Sequence, residues 1–194
     1  MDTIKIDENP LELAQKVLSD IKNSKERGLL KCVQCGMCTS MCPGAKNSDY
    51  NPRDMIERVL EGEESIIEDK NIWNCFYCYT CHSICPVGNS ACEVNQVLRQ
   101  IAISKGIAND EVGPFAGFGD VMMDLGLGGI PYNFHDDLTR DIGEEWKEKN
   151  IHIDEIREKL GLKPLKMPDE SIKEIRILLQ KTNLDKRVEK IKEY

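Results

Sequence analysis

Apolar residues recur at helical intervals along most of this chain. Leu13, Ala14, Val17, Leu18 and Ile21 fall on one stripe. Asn9 reads as its N-cap, Pro10 as its first helical position and Gly28 as its stop, which predicts a helix over 9–28. The same grammar returns at Asn51 and Pro52, where Met55, Ile56, Val59 and Leu60 make a buried face that ends at Gly62. A shorter helical piece is expected over 63–69. Ser90 and Glu93 then read as a capping box, ahead of Val94, Val97, Leu98 and Ile101 and a stop at Gly106. No alternation of apolar and polar residues, the mark of a half-buried strand, separates these pieces. The pattern predicts a mainly α chain.

The pattern changes after Gly106. Residues 107–145 are rich in Gly and read as irregular, with Pro114, Phe115, Phe118, Pro131, Tyr132 and Phe134 among them. Two readings stay open for this stretch: a loop packed on its own small core, or a segment that docks a partner. Residues 146–194 are charged and helical in pattern, over 153–160, 169–181 and a last helix that contains Leu184, Val188 and Ile191. The expected organisation is therefore an N-terminal helix (1–30), a core (31–106), a Gly-rich irregular segment (107–145) and a helical extension (146–194).

Between the helices of the core stand two copies of one cysteine pattern. The first is Cys32-x2-Cys35-x2-Cys38-x3-Cys42-Pro43, and the second is Cys75-x2-Cys78-x2-Cys81-x3-Cys85-Pro86. This is the ligand run of bacterial proteins that hold two [4Fe–4S] clusters. Cysteines at this interval on a curling loop reach three corners of a cube, and the fourth must be met from elsewhere. In two-cluster ferredoxins the last cysteine of each run serves the other cluster. Carried over, cluster 1 takes Cys32, Cys35, Cys38 and Cys85, and cluster 2 takes Cys75, Cys78, Cys81 and Cys42. Structural zinc instead uses well-separated Cys-x2-Cys pairs. Disulfides need an oxidising compartment, which nothing here suggests. Pro43 and Pro86, with fixed φ, are expected to turn the chain away after the last ligand. The expected fold is an α-helical ferredoxin with two [4Fe–4S] loops between helices and a C-terminal loop and helix extension.

Charge and composition narrow the surroundings. Among 194 residues the formal charge is −8, and two oxidised clusters bring it to about −12. Such a surface argues against nucleic acid as a partner. The chain opens Met1-Asp2-Thr3 without a basic or apolar leader, and Asp120 and Asp124 break the most apolar stretch, 115–134. A cytoplasmic protein with no membrane span is expected. There is no Gly-x-Gly-x-x-Gly after a strand and no phosphate loop, so no nucleotide or flavin site is visible, and no catalytic residue is assigned. The chain reads as a conduit for single electrons.

The two runs differ in their neighbours. Lys31 and Gly36 accompany the first; Trp73, Phe76, Tyr77 and Tyr79 accompany the second. The aromatics either fill core space or shield one cluster from water and set its potential apart. His82, between two cysteines, reads as a neighbour of the cluster, all eight ligand positions being filled. Cys92 is left over at the start of a helix. It reads as a small buried side chain, a thiol activated by the helix N-terminus being the other reading.

The helical layout, Asn51-Pro52-Arg53, and Ile72-Trp73-x-Cys75-x2-Cys78-Tyr79-x-Cys81-x3-Cys85-Pro86 resemble the iron–sulfur C subunit of heterodisulfide reductases from methanogens. The resemblance covers about residues 10–106. The cysteine runs alone also occur in iron–sulfur subunits of succinate, fumarate, glycerol-3-phosphate and glycolate oxidoreductases. This chain has neither an adjacent Cys-Cys pair, as in the Cys-Cys-Gly motifs of the reductase's B subunit, nor a Cys-x4-Cys-x2-Cys run. The resemblance implies a non-catalytic electron-relay subunit of an oxidoreductase. It would carry electrons from the flavoprotein (A) subunit to the Cys-Cys-Gly (B) subunit, which reduces the mixed disulfide of coenzyme M and coenzyme B. A hydrogenase or formate dehydrogenase would feed the complex. The alternatives are a cluster-bearing subunit of another dehydrogenase complex and a free ferredoxin-like carrier.

Overall fold

A computed structural model describes residues 9–20 and 28–192. The chain forms two compact units, Met1–Ala108 and Asn109–Tyr194. Among the described residues both are built from helices, with no strand, so the mainly α expectation holds.

The first unit contains α1 (Glu12–Ser19), α2 (Met37–Ser40), α3 (Pro43–Asn47), α4 (Pro52–Leu60), α5 (Thr80–Ser83) and α6 (Ala91–Lys105), with 3-10 turns at Leu29–Lys31, Glu64–Glu68 and Lys70–Asn74. Stripes from α1, α4 and α6 meet in one core. Leu13, Val17, Ile56, Val59, Val94 and Leu98 are all at most 2% exposed there, joined by Ile66 and Ile72 from the turns. Each such side chain contributes about 1.5–3 kcal/mol by leaving water. Arg58 of α4 ties the 3-10 region down. It donates through Nε and Nη2 to both oxygens of Glu63 (3.0 and 2.9 Å) and through Nη1 to Asp69 Oδ2 (2.7 Å).

The helix starts differ in how well they were anticipated. Asn51 caps α4 as expected, its Oδ1 accepting from the backbone N–H groups of Arg53 and Asp54. Gly106 ends α6 with φ +74. The capping box at Ser90 does not form: no side-chain cap bond is made there, and Ser90 Oγ lies 3.4 Å from Cys92 Sγ instead. The first helix starts later than expected. Leu11 is its N-cap, Asn9 contributes only a backbone carbonyl to Glu12 N–H, and Pro10 stands in the turn before. Ile21 and the rest of that expected helix, up to Gly28, lie outside the described residues. Gly28 has a packing reason of its own: a Cβ there would stand 1.9 Å from the carbonyl oxygen of Val87.

The second unit comprises α7 (Asn109–Val112), α8 (Ala116–Leu125), α9 (His135–Ile142), α10 (Glu144–Ile151), α11 (Ile153–Lys159), α12 (Asp169–Lys181) and α13 (Leu184–Lys192). Residues 107–145, expected to be irregular, are thus mostly helical. The misleading glycines lie inside α8, where they allow close packing. A Cβ on Gly117 would meet Pro131 Cβ at 2.7 Å, and one on Gly119 would meet Val188 Cγ2 at 2.6 Å. Phe115, Phe118 and Phe134 stack into one cluster with centroids 5.5–6.3 Å apart, yet Phe115 stays 58% exposed. No helix among the described residues is long and apolar enough to cross a membrane.

Candidate metal centre

The two cysteine runs fold as copies of each other. Each follows a 3-10 turn, and each begins with an extended cysteine, Cys32 (φ −61, ψ 122) and Cys75 (φ −75, ψ 122). Two left-handed residues then curl the loop inward. They are Gln34 and Gly36 in the first copy (φ 53 and 80) and, at the matching places, Tyr77 and Tyr79 in the second (φ 55 and 61). The one-turn helices α2 and α5 follow. They end at Met41 (φ −100, ψ 1) and Ile84 (φ −99, ψ −4), a residue before the last cysteine. Left-handed residues on either side of Cys35 and of Cys78 bend each loop back on itself, as a ligand loop requires. The copies part at their prolines: Pro43 opens the helix α3, whereas Pro86 stands in a turn.

This curling sorts the thiols into two cavities. One, of about 410 Å³, is lined by Cys32, Cys35, Cys38, Cys85 and Cys81, with Gln34 and Arg53 among its other walls. The other, of about 300 Å³, is lined by Cys42, Cys75, Cys78, Cys81 and Cys92, with Tyr50 and Phe76. Cys42 therefore faces the thiols of the second run and Cys85 those of the first. Cys81 stands in the wall between the cavities. All nine thiols are free. Among the described residues no three His, Cys, Asp or Glu side chains close on a point that one metal ion could fill. The thiols ring volumes instead, which suits a multi-iron group and not a single zinc.

Polar groups around the thiols fit sulfur ligands. Backbone N–H groups donate to two of the thiols: Asn89 N–H to Cys85 Sγ at 3.2 Å and Cys92 N–H to Cys81 Sγ at 3.3 Å. The amide of Gln34, on the wall of the first cavity, is buried without a partner. A buried orphan amide is costly, and a bound group with acceptor sulfurs would satisfy its N–H. Burial pushes the Cys38 and Cys75 thiols up. A hydrogen bond with Cys92, together with burial, pushes Cys81 up, and the same bond draws Cys92 down. The exposed Cys78 is held below the usual range by Thr80, whose Oγ1 lies 3.4 Å from its sulfur. Cys38, Cys75 and Cys81, pushed up in this way, would release their protons on binding a metal.

Other neighbours of the thiols carry no signal in the sequence pattern. Tyr50 is 3% exposed, and burial with the nearby Cys75 thiol raises its phenol so far that it remains an O–H donor. Arg99 of α6 reaches back to the carbonyls that lead into the second run. The aromatics of that run divide: Trp73 packs against the hydrophobic core, whereas Phe76 is 66% exposed, and the hydroxyls of Tyr77 and Tyr79 pair with each other at 2.8 Å near the surface. His82 packs edge-on against Tyr79, centroids 6.1 Å apart, and lines neither cavity. Cys92 is buried, as expected.

A family model described as a 4Fe-4S dicluster domain matches residues 28–89. The C subunit of the H(2):CoB-CoM heterodisulfide,ferredoxin reductase from Methanothermobacter marburgensis is 33% identical over 130 residues, which span 59% of this chain and 70% of that protein. The chain belongs to the family of heterodisulfide reductase C subunits. The C subunit of a ferredoxin:CoB-CoM heterodisulfide reductase of Methanosarcina acetivorans is 38% identical over 77% of this chain, which spans 61% of that relative's length. The C 2 iron-sulfur subunit of the CoB--CoM heterodisulfide reductase of Methanocaldococcus jannaschii aligns over 97% of this chain and 94% of its own length at 28% identity. Members of the heterodisulfide reductase C-subunit family are iron–sulfur subunits of an oxidoreductase, and the 4Fe-4S domain gives this chain an electron-transfer role.

Proposed function

We propose that this chain holds two [4Fe–4S] clusters and relays electrons within a heterodisulfide reductase complex. The first cluster would be held by Cys32, Cys35, Cys38 and Cys85, the second by Cys75, Cys78, Cys81 and Cys42. One observation carries this reading: each cavity collects three thiols of one run and the last thiol of the other. Such clusters supply reversible one-electron chemistry when bound. The chain's own residues do the rest. The left-handed residues aim the thiols, the N–H groups of Asn89 and Cys92 stabilise sulfur that carries negative charge, and Cys81, on the wall of both cavities, brings the two sites close. None of these residues needs to bind a substrate.

In the complex this chain would accept electrons from the flavoprotein (A) subunit. It would pass them to the Cys-Cys-Gly (B) subunit that reduces the disulfide of coenzyme M and coenzyme B, with a hydrogenase or formate dehydrogenase upstream and all of it in the cytoplasm. The segment 107–145 would serve docking, which its exposed Phe115, Phe118 and Tyr132 favour. Gentle anaerobic purification from the native cell tests this. A flavoprotein and a Cys-Cys-Gly chain should co-purify, and iron analysis of the chain should find about eight irons. A chain that runs alone and exchanges with several enzymes would instead be a free carrier.

A further inference from the structure

Arg99 projects from α6 toward the second cysteine run. Its Nε and Nη2 donate to the carbonyl of Ile72 (3.0 and 2.7 Å), and Nη2 also donates to the carbonyl of Cys75 (2.9 Å). The guanidinium lies over the ring of Trp73, 5.1 Å from its centroid, and Asn95 Nδ2 supports the same Ile72 carbonyl at 2.8 Å. Every one of these acceptors is neutral. Among the described residues no carboxylate pairs with Arg99, and the groups that favour its charge are Cys75 and Tyr50. Burial works against that charge, but an arginine does not give up its proton in a protein. A half-buried cation without a counter-ion is costly. Of the groups that favour the charge, Cys75 lines the second cavity, and as a ligand there it would supply the negative partner.

The first run has no such arrangement. The carbonyls that correspond to Ile72 and Cys75 are those of Leu29 and Cys32. Among the described residues no guanidinium reaches them; Leu29 O accepts from Cys32 N–H at 3.2 Å. The two loops share a backbone up to their last cysteines, and among the described residues a buried guanidinium holds the carbonyls of the second only.

We propose that Arg99 is a positioning and tuning residue for the second [4Fe–4S] site: it pins the chain leading into Cys75, and its charge raises the reduction potential of that site alone. The proposal rests on the two-cluster reading above. A fixed cation in a poorly solvated place favours the state that carries the extra electron. The guanidinium that lines the first cavity, Arg53, is exposed and screened by water, so the shift due to a buried cation belongs to the second cluster.

The test is a potentiometric titration of the cluster-loaded full chain, followed by EPR, with iron counted in each sample. The second site is recognised by the signal that Cys78→Ser alters. Arg99→Met should lower the midpoint of that signal and leave the other in place, with iron unchanged. Arg99→Lys, which keeps the charge but loses the fork, should restore most of the wild-type midpoint. Arg99→Gln, which keeps donors without charge, should behave as Arg99→Met does. Unmoved midpoints at full iron overturn the proposal, as does an equal fall of both, or an Arg99→Lys as low as Arg99→Met. Loss of iron from the second site in both Arg99→Met and Arg99→Gln means that Arg99 only holds the loop, and overturns the tuning role. A wild-type chain with about four irons and one midpoint fails differently, since it removes the two-cluster reading itself.

Discussion

Gly36 and Tyr79 occupy the same place in the two cysteine loops and share a left-handed backbone, φ 80 and 61, although only one of them is glycine. The geometry is therefore demanded by the loop and not by the residue. A tyrosine in this region carries strain of about 1–2 kcal/mol. Removing the tyrosine side chain in two ways separates strain from contact. Tyr79→Ala keeps the strain and loses the hydroxyl pairing with Tyr77; Tyr79→Gly loses the pairing and relieves the strain. The glycine variant should be the more stable by about 1 kcal/mol, read as the higher thermal midpoint of cluster loss under anaerobic conditions. In the mirror experiment, Gly36→Ala meets only Arg53 Cδ at 3.9 Å, so it should cost about 1 kcal/mol from strain alone.

Gly28→Ala should be far worse, for a different reason. Its φ is −77, which any residue adopts, but the added methyl would collide with backbone at 1.9 Å. Since Val87 O belongs to the chain and not to a flexible side chain, the neighbourhood has to move. A loss of about 3 kcal/mol or more is expected, in the range of severe overpacking. A thermal midpoint close to that of Gly36→Ala would show that the two segments are free to separate.

The crossed thiols make a sharp prediction. Cys42→Ala should remove the cluster held mainly by the second run, and Cys85→Ala the one held mainly by the first. Each variant should keep about half of roughly eight irons. EPR of the remaining signal against Cys35→Ser and Cys78→Ser variants identifies the survivor. If Cys42→Ala costs the first-run cluster, the crossed assignment is wrong.

Acid should loosen the turn region through Arg58. The guanidinium holds the Glu63 carboxyl below its ordinary value, and at Asp69 the Asn71 N–H and then the guanidinium outweigh burial and do the same. A depressed folded value means that the stabilisation is complete above the unfolded value, about 4, and is lost as pH falls through the lower folded one. Wild type should therefore lose stability more steeply than Arg58→Met below about pH 4, and the two curves should run parallel above about pH 5. Both carboxylates are partly exposed, so the difference should stay within about 1 kcal/mol each. A difference that persists unchanged to pH 2 would mean that Arg58 acts by packing.

Much of this was legible in the chain itself because it depended on spacing. Asn51 and Pro52 announced α4, and Leu184, Val188 and Ile191 announced α13. The eight ligand candidates followed from an interval that few other sites use. What stayed hidden depended on three-dimensional neighbours. Gly117 and Gly119 looked like loop residues because glycine marks turns more often than tight helix contacts. Ser90 stands at the N-cap of α6 as its sequence context suggested, but its hydroxyl makes no cap bond and lies beside Cys92 instead. Arg99 carried no signal at all, since its acceptors are carbonyls 24 and 27 residues away and any residue type supplies a carbonyl.

Gly28 N–H donates to Gly88 O at 3.2 Å, and those two residues stand at the very limits of the paired cysteine runs. The metal-binding stretch thus leaves its surroundings and returns to them where its two ends meet. With its ends joined there and with α1 and α6 packed on its core, the stretch tolerates additions beyond those helices. Lineages can lengthen the chain ahead of α1 or beyond α6, whose Cys92, Asn95 and Arg99 hold the second run, without moving a sulfur atom. Relatives that share the core of this chain while differing in total length are the expected result of such a seam.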